Sequence, residues 1–402
     1  MPELAINGGS PAIVPPALSR VEYSKAARVL VEECIEAGAL NQFYGGRHVR
    51  AFEQDFARAF GRSLAVAVNS GTSALHLLYA ASHLAAGSEV LVPANAYVSA
   101  VSALLQCGLI PVLVDIDQVG WSMDLEDTRR KISNRTTAIM AVHMYGQPCD
   151  MEALQHIARE HSLAIFEDCG QAHGARSSDR LVGTFGSSAA YSVCCRKAVT
   201  VGEGGVVVSD DDVFIDLVRA LAHKGKGQGF FDYRQLGFSY GMTEVQGLLG
   251  SDQVRSFGEE MAKRQRHAII LHSGLRGSEV QVPAVRLGDT HAYFKFPVLL
   301  PAELGQSQQQ VVDAVRAEGA IVDPAHPCLG SIDWIAAETQ SLCARYGISS
   351  PPDNTSHSTP VAADILSRTV CLEVGHSLTD EAIEGSLEAL KKVLVHHEEL
   401  VS

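Results

Sequence analysis

The 402-residue sequence predicts an α/β protein, with a mainly parallel sheet of seven strands covered by helices and a smaller α+β unit at the C-terminal end. Three observations predict it. Between about residues 62 and 210, short uninterrupted apolar runs alternate with helix-length stretches, the pattern of strands buried on both faces. Most polar motifs fall just after those runs, at the strand ends where such sheets bind ligands. Past residue 268 the alternation gives way to a sparser mixture of helix and strand.

In order along the chain, 64–68 reads as a strand and 74–86 as a helix. Residues 89–92 form the next strand, 99–107 a helix, and 111–115 and 137–143 further strands. Residues 151–161 look helical, 163–166 is a buried strand, and 189–193 and 205–208 complete the seven. The stretch 225–241, rich in glycine and aromatics, reads as an ordered loop, and 244–266 as a helix. Beyond it, 293–299 is a strand candidate, 308–318 a helix, 349–360 a loop rich in Pro, Ser and Asn, and 380–396 a terminal helix. The expected division is 1–267, an N-terminal arm and large unit, and 268–402, a small one.

Composition narrows the function. The chain is 46% hydrophobic and 19% charged, enough for a large core and too apolar for extended disorder. Its formal net charge of −14, with no basic run, opposes a nucleic-acid partner. No segment reaches the roughly 18 apolar residues of a membrane span, and residues 1–16 lack the pattern of a secretory signal. Nine cysteines with one adjacent pair, Cys194 and Cys195, and no repeated C-x-x-C suggest reduced thiols, no metal site and a cytoplasmic location.

Three segments carry chemistry. Asn69-Ser70-Gly71-Thr72-Ser73 lies between a strand and a helix, where glycine and unpaired first-turn N–H groups make a phosphate cradle; the same residues also suit an ordinary N-cap. Asp168 ends a buried strand in Phe166-Glu167-Asp168-Cys169-Gly170-Gln171. A buried carboxylate needs a cation or donors, met either by a pyridinium nitrogen or by capping the next helix. Lys197 leaves a strand end in Tyr191-Ser192-Val193-Cys194-Cys195-Arg196-Lys197 and precedes the turn Gly202-Glu203-Gly204-Gly205. It reads as a Schiff-base lysine or as a loop lysine.

Phosphate cradle, then Asp, then Lys, each after a strand, is the layout of fold-type I enzymes that use pyridoxal 5′-phosphate (PLP). The strings FEQDFARAFG, NSGTSALHLL, VLVPANAYVSA, PVLVDID, VHMYGQPCDM, FEDCGQAHGA and KAVTVGEGG make the chain resemble the DegT/DnrJ/EryC1/StrS sugar aminotransferases from about Ala5 to the C-terminus. The resemblance implies that Lys197 is the Schiff-base lysine and that Asp168 pairs with the pyridine nitrogen. It further implies that Gly71, Thr72 and Ser192 hold the phosphate, Tyr97 stacks on the ring and Gln171 lies beside its phenolic oxygen. It implies a homodimer with shared active sites, in which the 225–241 loop crosses to the partner and Ser239 nears its phosphate.

Two departures stand out: Ala198 follows Lys197 where the family commonly has Asn, and Gly237-Phe238-Ser239-Tyr240-Gly241-Met242 replaces a stretch with Asn and Arg at 239 and 241. The expected reaction is transfer of an amino group from Glu or Gln to a keto-sugar or cyclitol-like ketone, in amino-sugar or secondary-metabolite biosynthesis. The alternatives are a nucleotide-sugar 4-ketone as acceptor, or a PLP-binding regulator without turnover. A dehydratase of this fold would carry His where Lys197 stands.

Overall fold

The structure is a computed structural model that describes residues 3–13, 21–41, 46–227, 231–304, 308–375 and 378–400. Residues 228–230 of the glycine-rich loop lie outside the described residues. The large sheet comprises β1 (Leu64–Val68), β2 (Glu89–Pro93), β3 (Ile110–Val114), β4 (Thr136–Val142), β5 (Ala164–Asp168), β8 (Ser188–Ser192) and β9 (Gly205–Ser209). Two-residue strands β6 (Arg176–Ser177) and β7 (Arg180–Leu181) pair with each other between β5 and β8. Strand order is β1-β9-β8-β5-β4-β2-β3. All neighbours are parallel except at β9, which runs antiparallel to both β1 and β8. The sequence expectation of seven mainly parallel strands therefore holds.

Helices cover both faces. On one, α3 (Gly71–Ala81), α4 (Val98–Gln106) and α7 (Asp212–Ala222) pack Leu77, Leu78, Leu104 and Val218 against Val66, Val90 and Val207. On the other, α2 (Arg47–Ala59) sets Phe52 and Phe56 against Tyr191 and Val208, while α6 (Met151–His161) sets Leu154 and Ile157 against Leu91 and Ile139. Every residue of β2, β3 and β9 is buried, which is why those runs show no polar alternation. Local signals start the helices: Ser70, Asp150, Asp211, Thr243 and Thr379 each accept a backbone N–H as N-cap, and Thr243 with Gln246 forms a capping box.

A second core gathers on a three-stranded antiparallel sheet, β10 (Phe296–Leu299), β12 (Thr369–Leu372) and β11 (Val322–Pro324), with α9 (Gln308–Ala317) and α12 (Asp380–Val395). Leu4 is fully buried in this core, and the Ala5 and Ala12 N–H groups donate to the Glu318 carboxylate at 2.7 and 2.8 Å. The 31-residue helix α8 (Glu244–Gly274) joins the two cores: Phe257 and Met261 pack in the first, Ala268 and Leu271 in the second. Position 268, the expected start of the small unit, thus lies inside a continuous helix.

Several elements were not read from the sequence: α1 (Lys25–Glu36), α2, α5 (Leu125–Lys131), α7, α10 (Asp333–Arg345), α11 (Pro360–Arg368), β11 and β12. The 293–299 strand is shorter than expected because Tyr293 takes a left-handed φ of 48°. Past α10, Asn354 pairs with the edge strand β3: its Oδ1 accepts from Leu113 N–H at 2.9 Å and its Nδ2 donates to Pro111 C=O at 2.8 Å. A side-chain amide thereby closes part of an edge that would otherwise present open backbone groups.

Candidate active site

The site forms where β5 and β8 end side by side, Asp168 opposite Ala190 in the parallel register. After Ser192 the chain turns back, with Cys195 N–H donating to Gly202 C=O at 2.8 Å and Val193 N–H to Gly204 C=O at 2.9 Å, before returning as β9. Lys197 sits in that turn and is 7% exposed, with Nζ 3.8 Å from the centroid of the Phe294 ring. Burial pushes its amine down to about 8; Cys194 and Asp168 oppose the shift, while the charges of Lys295 and Arg264 add to it. Burial raises the Asp168 carboxyl, against the Gly170 N–H on its Oδ1 at 2.9 Å and the charge of Lys197.

The cradle residues meet at the start of α3. A Cβ on Gly71 would lie 2.8 Å from Ser192 Cβ and 3.0 Å from its Oγ, so only glycine lets the helix N-terminus approach that strand end. Ser70 Oγ is already used by the Ser73 N–H, and Thr72 is exposed. Gly170 also approaches Ser192, at 3.5 Å from a built Cβ, so Gly71, Ser192, Gly170 and Asp168 form one contiguous surface. First-turn N–H groups carry partial positive charge there, which suits a phosphate.

Tyr97 is the N-cap of α4, 46% exposed, with its ring 4.8 Å edge-on from His326. His326 is held neutral, down to about 4, by burial and by the charges of Lys295 and Lys197, so both rings belong to the same neighbourhood. Gln171 is oriented by its Oε1, which accepts the Tyr145 N–H at 2.9 Å.

Sequence reading missed a supporting shell. Arg264 of α8 is fully buried; its Nη2 donates to Arg196 C=O at 3.0 Å and its Nη1 to Tyr293 and Phe294 C=O at 3.0 and 3.1 Å. One guanidinium, paired to Glu260 at 2.7 Å, thereby fixes both the residue before Lys197 and the ring beneath it. Glu167 accepts N–H groups of Gly183, Phe185 and Gly186 at 2.6, 2.7 and 2.7 Å and contacts His143 Nε2 at 3.2 Å. Because the Cys149 N–H donates to His143 Nδ1, the ring proton belongs on Nε2, facing Glu167. His143, Glu167 and Cys169 bring potential metal ligands within 4.8 Å of one another, yet the carboxylate is already occupied by these donors. His143 is a satisfied residue at a strand end.

Ser239 stands apart. It lines a cavity of about 920 Å³ with Arg50, His223, Lys224 and Arg234, and none of Lys197, Asp168 or Ser192 lines that cavity. The backbone of this stretch is tied to its own chain, since the Asn69 N–H donates to Tyr240 C=O at 2.8 Å and Ser239 bridges His223. His223 also fills the space beside Gly241, 3.0 Å from where a Cβ would stand.

Comparison with known proteins gives the family. Residues 24–391 match the model of the DegT/DnrJ/EryC1/StrS aminotransferase family. The chain is 30% identical over 420 residues to the L-glutamine:2-deoxy-scyllo-inosose aminotransferase of Micromonospora echinospora, covering 99% of each. It is 35% identical over 277 residues to the GDP-perosamine synthase of Vibrio cholerae, covering 69% of this chain and 75% of that protein. Among solved structures, the aminotransferase from Psychrobacter cryohalolentis has a TM-score of 0.82 at 26% identity, covering 95% of this chain and 100% of that one. DesI, solved in the presence of its TDP-sugar product, has a TM-score of 0.85 at 25% identity, covering 99% and 98%. A buried lysine, a strand-end aspartate and a glycine-lined helix start thus occur on a chain that belongs to the DegT/DnrJ/EryC1/StrS aminotransferase family.

Proposed function

We propose that the chain uses PLP, carried on Lys197, to transfer an amino group from glutamine or glutamate to a keto-sugar or cyclitol-like ketone. The observation that supports this most is Lys197, brought down to about 8 by burial, set in the turn after β8 close enough to Asp168 at the end of β5 for their charges to act on each other. The residues fit the cofactor. Gly71 and Ser192 leave no room for a side chain at a helix start, as a phosphate seat requires, and a pyridinium would supply a cation for the partly desolvated Asp168. The relative matched over 99% of both chains takes a cyclitol ketone by name, which favours that acceptor class.

Bound PLP supplies an electron sink for the charge that develops when a substrate C–H bond breaks, and a carrier for the amino group. The chain's own residues do the rest. Lys197, brought down to about 8 from the roughly 10.4 of a solvated lysine, gives up its proton more readily and can take and return one. Asp168 favours a protonated ring nitrogen. Gly71, Thr72, Ser192 and the α3 N-terminus would hold the phosphate, and Tyr97 and Gln171 would flank the ring. Arg264 keeps Lys197 on Phe294, limiting where its amine can reach. We further propose two lobes, 1–267 and 268–402, and a homodimer in which Ser239 serves the partner's site; its separation from Lys197 on a basic cavity supports this.

Borohydride reduction of the yellow purified protein, followed by peptide mapping, should place the cofactor on Lys197. Lys197→Ala should remove both label and turnover of scyllo-inosose with L-glutamine. A label on another lysine overturns the assignment.

A further inference from the structure

Asp323, in β11, gathers more positive charge than one carboxylate balances. Lys295 Nζ and Arg196 Nη1 both bind its Oδ2, the latter at 2.8 Å, and Arg316 Nη2 lies 3.0 Å from Oδ1. Glu373 adds a second carboxylate, 3.8 Å from Arg196. Three cations therefore face two acids. They differ in position: the side chains of Arg196 and Arg316 are 44% and 45% exposed, and that of Lys295 is 12% exposed. Lys295 also shares a platform with the reactive amine, since its Nζ is 6.0 Å and that of Lys197 3.8 Å from the Phe294 ring centroid.

An amino-acid donor brings an α-carboxylate on the carbon that carries its amino group. If that amino group is processed beside Lys197, the counter-ion for the carboxylate must stand a few ångströms away. Arg264 is buried and committed to Glu260 and three backbone carbonyls. We propose that Lys295 binds the α-carboxylate of the amino-acid donor, exchanging Asp323 for it when the donor enters. Asp323 then keeps Arg196 and Arg316, so neither the departing ammonium nor the carboxylate left behind is unpaired. One carboxylate replaces another on an already desolvated ammonium, whose compact charge and rotatable donors tolerate the exchange. Neutral keto-sugars and cyclitols lack this group, so Lys295 discriminates the donor from the acceptor. The inference rests on the aminotransferase reading of Lys197.

The test uses the full PLP-loaded protein with Lys295→Gln, Lys295→Arg and Arg316→Gln. Two readouts are measured: the concentration of L-glutamine or L-glutamate that half-converts the bound cofactor's absorbance, and the calorimetric Kd of glutaramate, which is glutamine without its amino group. Loss of a charge-assisted bond predicts a rise of about tenfold or more in both for Lys295→Gln. Lys295→Arg should recover most of the loss. Arg316→Gln, which removes another cation from Asp323, should leave both values within about twofold, the scale of an exposed ion pair. Unchanged values in Lys295→Gln, or an equal rise in Arg316→Gln, overturn the proposal. Borohydride labelling of Lys197 in the wild type separates this outcome from failure of the cofactor assignment.

Discussion

Asp168 shows how a single carboxyl can be prepared for one partner. It ends β5 opposite Ala190, has one backbone N–H on Oδ1, and is pushed towards its neutral form by burial. A cationic ring nitrogen reverses that pressure, because opposite charge close by favours the ionised acid. Asp168→Asn keeps an oxygen for the Gly170 N–H, so the fold should survive with an unchanged melting profile. The variant should lose about 10²–10³-fold in turnover, the range for losing one preorganised electrostatic group. Activity within a few-fold of wild type would remove Asp168 from the ring-partner role. Lys197, Asp168, Gly71 and Ser192 stood out as candidates in the sequence because each lies at or within about five residues of a strand end in a short motif. Arg264 and Phe294 were not, because they lie 68 and 97 positions from the residues they support and carry no local pattern of their own. Arg196 is exposed, yet its carbonyl accepts from a buried guanidinium and its side chain pairs with Asp323.

At the level of elements, α3 is the part most tightly fitted to the proposed function. Its first residue meets the end of β8 with no room for a methyl group, and the atom that a methyl would strike is a strand-borne Cβ rather than a flexible tip. Gly71→Ala should therefore move the helix start from the strand, costing about 1–3 kcal/mol of stability as an overpacked site. The Kd for PLP should rise together with a lower melting temperature. A variant that binds PLP as tightly as wild type shows that the contact relaxes elsewhere. The same scale explains what the sequence conveyed about the fold. The strands of the large sheet were legible because burial on both faces leaves unbroken apolar runs. Helix α2 was hidden by its mixture of Arg, Glu and Phe, and α10 by lying in a stretch without strands around it. The three-residue strand β11 is held chiefly by β12 and offers no periodicity to find. The division expected at 268 falls within a single helix that serves both cores.

For the whole molecule, the proposal of shared sites has a direct test. Chains carrying Lys197→Ala are mixed with chains carrying Ser239→Trp under conditions that exchange subunits. A mixed dimer would hold one intact site and one with both lesions, so activity should return to part of the wild-type level. Verified mixed dimers that stay inactive, with a folded Ser239→Trp chain, exclude a shared role for Ser239. The N-terminal segment that clasps Glu318 sets a schedule of another kind. Leu4, Ala5 and Ala12 complete a core whose other members lie some three hundred residues downstream. On a ribosome adding about 5–20 residues per second, that segment waits on the order of tens of seconds for its partner. During this interval Leu4 and its neighbours must stay available, while the large sheet assembles without them. Residues made early are thus among the last to be placed.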